Sequence, residues 1–161
     1  MSKPIIAFCG MTHLGLNSAV AVAEHGFPVL CFDADESLIG DIGNGSLPVT
    51  EPDLDRLFGK NSERLSYSSD ATDLAACDVA YIAADVPTDD QGQSDLSSIR
   101  ALIETVAANL NDTAILVVLC QVPPGFTREL SFAKQRLYYQ VETLIFGRAV
   151  ERAMYPERYI I

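Results

Sequence analysis

Residues 4–33 constrain the fold more than any other stretch of the chain. Pro4, Ile5, Ile6, Ala7, Phe8 and Cys9 form a short apolar run, rich enough in branched residues for a buried strand. Gly10-Met11-Thr12-His13-Leu14-Gly15 follows at once. Residues 14–25 are small and apolar, which suits a buried helix closed by Gly26. Residues 27–32 form a second apolar run that ends on Asp33. Strand, glycine turn, helix, strand and acid, in that order, predict the first βαβ unit of a dinucleotide-binding fold. Gly10 permits the tight turn off the strand, and Gly15 lets the helix pack closely on the sheet. The helix N-terminus, at Thr12, His13 and Leu14, then offers free N–H groups and a positive dipole end to a pyrophosphate. Asp33 lies 23 residues after Gly10, near the ~20 at which a carboxylate can accept from a ribose 2′-hydroxyl. The same carboxylate opposes a 2′-phosphate, so NAD is favoured over NADP.

The middle glycine of this fingerprint is Thr12. That position normally lacks a side chain so that the backbone can approach the pyrophosphate. A threonine either adds a hydroxyl contact or obstructs the ligand. Crowding is the expectation, because a β-branched residue also resists the positive φ that glycine tolerates at such turns. The bland alternative is an ordinary strand–helix turn in another α/β protein.

The 161 residues suit one compact domain, and 48% hydrophobic content is ample for a core. Acidic residues outnumber basic ones 22 to 11, for a formal charge of −11. That argues against a nucleic-acid or membrane-surface binder, both of which need a basic face. No stretch approaches the roughly 18 apolar residues of a membrane span, and the N-terminus lacks a signal-peptide layout. The four cysteines have no metal-ligand spacing. Reduced, buried thiols in a cytoplasmic protein are expected.

After Asp33 the pattern predicts a helix from about Ser37 through Ile42. A second begins near Glu51 and Pro52, with Leu54, Leu57 and Phe58 on its apolar face. Residues 65–68 suit a short strand, and Asp70 caps a small helix running to about Ala76. Residues 78–84 read as the next buried strand, and residues 85–94 as a polar loop at its carboxyl end, where ligands bind in open α/β sheets. Asp95 caps an amphipathic helix marked by Leu96, Ile99, Leu102, Ile103, Val106 and Leu110. Residues 113–119 are another apolar strand. Residues 127–137 are expected to be helical, 138–144 strand-like, 148–154 helical, and 159–161 the start of a strand. Alternating strands and helices imply an α/β, Rossmann-like, doubly wound and mainly parallel sheet with helices on both faces. An apolar ending at Ile160 and Ile161 reads as a fragment of a longer protein.

Several separated motifs then occur in a characteristic order: the glycine turn, the D-x-D of Asp33 and Asp35, N-G-x-x-P-x-x-E-P-x-L at residues 44–54, V-P-T-D-D-x-G-x-x-D-L-S at 86–97, V-P-P-G-x-T at 122–127, E-x-x-x-x-G-x-A at 142–149, and Y-P-E-R at 155–158. Over nearly the whole chain this resembles the N-terminal NAD-binding domain of the UDP-glucose/GDP-mannose (nucleotide-sugar) 6-dehydrogenases. The resemblance implies that the intact protein oxidises the primary alcohol of a nucleotide-linked sugar to a carboxylate, with two NAD and a cysteine-bound intermediate. It implies a later region that supplies the catalytic cysteine, a lysine and most of the sugar pocket, and a homodimer only in the full-length protein.

Residue by residue, Glu142 matches the glutamate that the family uses near the reacting carbon. Thr127 matches a position near the cofactor, and Pro87 lies in the cofactor-side loop. The competing readings are a surface carboxylate for Glu142, a helix cap for Thr127 and loop shaping for Pro87. His13 reads as a turn residue, with a ligand-facing role as the alternative. Glu51 reads as a family glutamate or as a helix-start carboxylate. The chain departs from the family pattern at Thr12, Val86, Cys120, Gln121, Gln140, Val141, Ile145 and Phe146, mostly around the chemistry. Cys120 stands where the family usually has a serine and is not expected to be the nucleophile. Two further readings stay open: a non-catalytic dinucleotide-binding or regulatory module, and a scaffold without nucleotide.

Overall fold

The structure is a computed structural model and describes residues 3–87, 90–91 and 94–161. Strands β1 (Ile6–Cys9), β2 (Val29–Phe32), β3 (Leu65–Ser68), β4 (Val79–Ile82), β5 (Ile115–Val118) and β6 (Leu137–Tyr139) form one sheet in the order β3-β2-β1-β4-β5-β6. Every pairing is parallel, with Ile6 of β1 opposite both Val29 of β2 and Val79 of β4. The chain winds outward from β1 to β3, then crosses back to β4 on the other side of β1. The crevice at the carboxyl ends of β1 and β4 is therefore the topological switch point, where open α/β sheets bind ligands.

Sequence pattern accounts for these elements directly. All of β2 is buried and β5 nearly so, as expected for central strands covered on both faces. Helix α1 (His13–Glu24) is buried without a break from Leu14 to Ala21. Its small side chains let it lie between the sheet and α6 (Ala149–Met154), on which it packs. Helices α2 (Glu36–Gly43) and α3 (Leu54–Lys60) follow β2, and Asp35 caps α2 by accepting from the Leu38 amide at 3.1 Å. The short 3-10 helix Ala71–Ala76, capped by Asp70, packs on α4 (Ser97–Asn109).

Five expectations shift, the first being the strand expected over residues 138–144, which is β6 and ends at Tyr139. Pro52 sits in the turn before α3, whose Ncap residue is Asp53 at φ 66°. Asp95 lies one residue before the Ncap of α4 and accepts from the Ser97 amide and hydroxyl. Residues 127–137 are not one helix. Helix α5 (Phe126–Glu129) stops after four residues because Lys134 Nζ takes the carbonyls of Thr127, Arg128 and Leu130. A lysine ammonium thus satisfies groups that a longer helix would have bonded to amides. Residues 159–161 form no strand: Ile160 and Ile161 are exposed, with one backbone bond from the Val141 amide to the Ile160 carbonyl. No described helix is long and apolar enough to cross a membrane.

Candidate functional site

The glycine turn leaves β1 at Gly10, which has φ +101° and whose amide donates to Phe32 O at 2.8 Å. A Cβ on Gly10 would lie 2.5 Å from the Cβ of Ala84, just past β4. A Cβ on Gly15 would lie 1.8 Å from the Gly10 carbonyl oxygen. Neither position admits a side chain, so the turn, the helix and the end of β4 are drawn together at the crevice floor. The backbone of Gly10 is what Gly15 packs on.

The carboxylate of Asp33, at the end of β2, makes two bonds among the described residues. Its Oδ2 accepts from the Met11 amide at 2.8 Å and its Oδ1 from the Asp35 amide at 3.1 Å. It thus anchors the glycine turn while sitting where a ribose-binding acid belongs, and each oxygen keeps further acceptor capacity.

Thr12 departs from the expected strain. It is the Ncap of α1 with φ −87° and ψ −169°, an extended conformation open to any residue, and the positive φ falls on Gly10 instead. Its hydroxyl does not cap its own helix. Oγ1 accepts from the Asp85 amide at 2.9 Å and donates to Ala83 O at 3.4 Å, tying the turn to the loop after β4. The His13 amide, expected to be free for a pyrophosphate, donates to Asp85 Oδ2 at 3.1 Å.

His13 is more than a turn residue. Its Nε2 lies 2.8 Å from Glu51 Oε1, and its ring packs on Phe146 with centroids 4.3 Å apart. Glu51 is only 5% exposed. It also accepts from the amides of Gly147 and Ala149, so it caps α6 rather than the helix that follows it in sequence. Burial opposes its charge, but the bonds from His13, Gly147 and Ala149 outweigh burial and hold its carboxyl below the usual range.

A cleft of about 400 Å³ opens beside these groups, walled by His13, Leu14, Asp85, Gln121, Glu142 and Phe146. Glu142 follows β6, is half-buried and accepts from the Leu144 amide. Burial raises its carboxyl above the ordinary value; the Leu144 bond and His13 oppose the rise and Asp85 adds to it. A carboxyl with a raised value at the mouth of a cleft can hold or pass a proton. Leu14 is buried, with its side chain against the cleft. Pro87 closes the loop by accepting from the Asp95 amide at 3.0 Å. Of the 86–97 motif, Thr88, Asp89, Gly92 and Gln93 lie outside the described residues. Thr127 lies inside α5, whose Ncap is Gly125 with no side-chain bond, so Thr127 does not cap it.

The crevice therefore gathers Gly10, Thr12, His13, Leu14, Gly15 and Glu142, with Asp33 bonded to the glycine turn and Pro87 on the adjoining loop. Sequence reading passed over the contacts made by Asp85 and the reach of Glu51. The signal for Asp85 was a carboxylate immediately after an apolar strand at the switch point; Glu51 stood out only as a motif glutamate, because its partners lie far along the chain. Among the described residues no His, Cys, Asp and Glu cluster could hold a metal.

Comparison with known proteins agrees with this fold. Residues 5–161 match the family described as "UDP-glucose/GDP-mannose dehydrogenase family, NAD binding domain". The chain is 34% identical over 168 residues to a UDP-glucose 6-dehydrogenase of Rhizobium meliloti, covering 97% of this chain and 38% of that protein. It is 33% identical over 168 residues to one of Bacillus subtilis, covering 97% and 36%. It thus spans little more than a third of these relatives. Its fold superposes on a UDP-glucose dehydrogenase from Pyrobaculum islandicum with a TM-score of 0.86 and 27% identity, covering 98% of this chain and 40% of that one. A GDP-mannose dehydrogenase from Pseudomonas aeruginosa shares the fold, with a TM-score of 0.83 and 22% identity over 94% of this chain and 39% of that one.

Proposed function

The chain belongs to the UDP-glucose/GDP-mannose dehydrogenase family as its NAD-binding domain, and from that premise we propose that residues 1–161 are the cofactor-holding domain of a nucleotide-sugar 6-dehydrogenase. The observation that carries this reading is the glycine turn, folded so tightly that Gly10 and Gly15 exclude a Cβ and tied by its Met11 amide to Asp33. A backbone bared in this way, next to an acid at the end of the second strand, suits a pyrophosphate and an adenine ribose.

In this reading Gly10, Thr12, His13, Leu14 and Gly15 face the pyrophosphate and Asp33 takes the ribose hydroxyls. Pro87 and Thr127 are cofactor-side positions in the family pattern. Glu142, its carboxyl raised by burial, holds a proton or orders a water at the mouth of the cleft. NAD, when bound, supplies the hydride acceptor. The substrate of the whole protein is a nucleotide-linked sugar oxidised from alcohol to carboxylate. The covalent step belongs to a thiol outside this chain, since the four thiols here are buried. The setting is cytoplasmic and the full-length protein a homodimer.

Titration calorimetry with NAD and NADP tests the assignment. The chain binds NAD in preference to NADP. Asp33→Asn keeps one oxygen for the Met11 amide but loses the charge and the acceptor of the Asp35 amide, and it weakens NAD about tenfold to hundredfold while narrowing the preference. That range follows from the roughly 1.5–3 kcal/mol of a hydrogen bond to a charged group. Equal NAD affinities for parent and variant place the ribose elsewhere and overturn the role of Asp33.

A further inference from the structure

We propose that Asp85 sits in the seat of the dinucleotide's pyrophosphate and sets how weakly this chain holds NAD. This rests on the cofactor reading above and adds to it a determinant of affinity.

The first turn of α1 is an anion seat, because its amides have no acceptor within the helix and the dipole favours negative charge. Here the seat already holds an anion. Asp85 Oδ2 accepts from the His13 amide at 3.1 Å. The same residue is fixed through its backbone, its amide donating to Thr12 Oγ1 at 2.9 Å. The clamp is reciprocal: the threonine at the normally bare position holds the backbone of Asp85, and the side chain of Asp85 caps the helix that Thr12 begins.

Two further facts set its effect. Asp85 is exposed, so its side chain can turn out to solvent at the cost of one hydrogen bond. The described residues lining the cleft include no lysine or arginine, while Glu142 adds a second carboxyl near Asp85. An entering diphosphate must therefore displace one carboxylate and remain close to it, with no lysine or arginine among the described lining residues to compensate and His13 already engaged by Glu51.

The test is binding, read by calorimetry on the whole chain with NAD, ADP and adenosine. Asp85→Ala tightens NAD and ADP by about tenfold or more, the scale of one partly screened unit charge at contact distance. Asp85→Asn, which can still accept from the His13 amide but is neutral, tightens them by less. Adenosine, which has no phosphate, binds parent and variants alike. Unchanged or weaker NAD binding by both variants, with circular dichroism and melting intact, overturns the proposal and leaves the cofactor reading standing. An equal gain for adenosine also overturns it, since the effect would then be one of shape. If neither parent nor variants bind NAD or ADP while folded, the cofactor reading itself falls, and this proposal with it.

Discussion

Glu51 joins three segments that the sequence keeps far apart. Its carboxylate accepts from the His13 ring and from the amides of Gly147 and Ala149 in a buried setting. Its removal leaves those donors without their acceptor, at about 1.5–3 kcal/mol for a bond to a charged group. For a domain of this size that is a loss of roughly 3–12 °C in melting temperature. Glu51→Ala should show this loss by differential scanning fluorimetry. The pH dependence has a defined sign. The folded carboxyl is held below its ordinary value of 4.5, so the contribution is complete above that pH and fades as the pH falls further. The gap between parent and variant should therefore narrow below about pH 4.5; a gap that widens on acidification contradicts this account. Single residues were legible when they answered to local geometry. Gly10, Gly15 and Asp33 sit at fixed spacings in one βαβ unit, and the structure brings them together as that spacing requires. Glu51 and Asp85 were not legible in this way, because each caps a helix that it does not adjoin, and a carboxylate's partner at long range leaves no periodic trace. At Thr12 only the backbone part of the expectation changes: the positive φ belongs to Gly10, two residues earlier.

At the scale of elements, the helices differ in what their glycines do. Gly15 of α1 faces the Gly10 carbonyl at a distance that no Cβ survives, whereas Gly40 of α2 and Gly59 of α3 have nothing within 4 Å. Gly15→Ala must push α1 off the sheet, and overpacking of this kind costs about 1–3 kcal/mol or more. Gly40→Ala and Gly59→Ala meet no such obstacle and should each stabilise by about 0.4–1 kcal/mol through the unfolded chain. Urea denaturation of the three variants checks the contrast; a neutral Gly15→Ala would mean that the turn is looser than described. Helix existence was legible wherever an apolar face recurred over three turns, as in α4. The extent of α5 was not, since its end depends on where the Lys134 side chain reaches.

For the molecule as a whole, the alternation of apolar runs and helical segments implied the parallel sheet, and the sheet order β3-β2-β1-β4-β5-β6 places the crevice where that fold requires it. One feature of that sheet has a use in handling the protein. Cys9 and Cys31 are buried in two adjacent central strands, and Cys120 is buried just beyond β5. Burial pushes the thiols of Cys31 and Cys120 up to about 12, and raises that of Cys9 well above its usual value. Alkylating reagents attack the thiolate, so these positions are silent until the strands part. Mass spectrometry after timed iodoacetamide labelling should show the three modified together, at a rate that climbs with denaturant as global unfolding does. Early modification of one alone would instead expose a local opening in its strand. The cysteines thus act as an internal stopwatch for the lifetime of the folded sheet, without a fluorophore or a bound ligand.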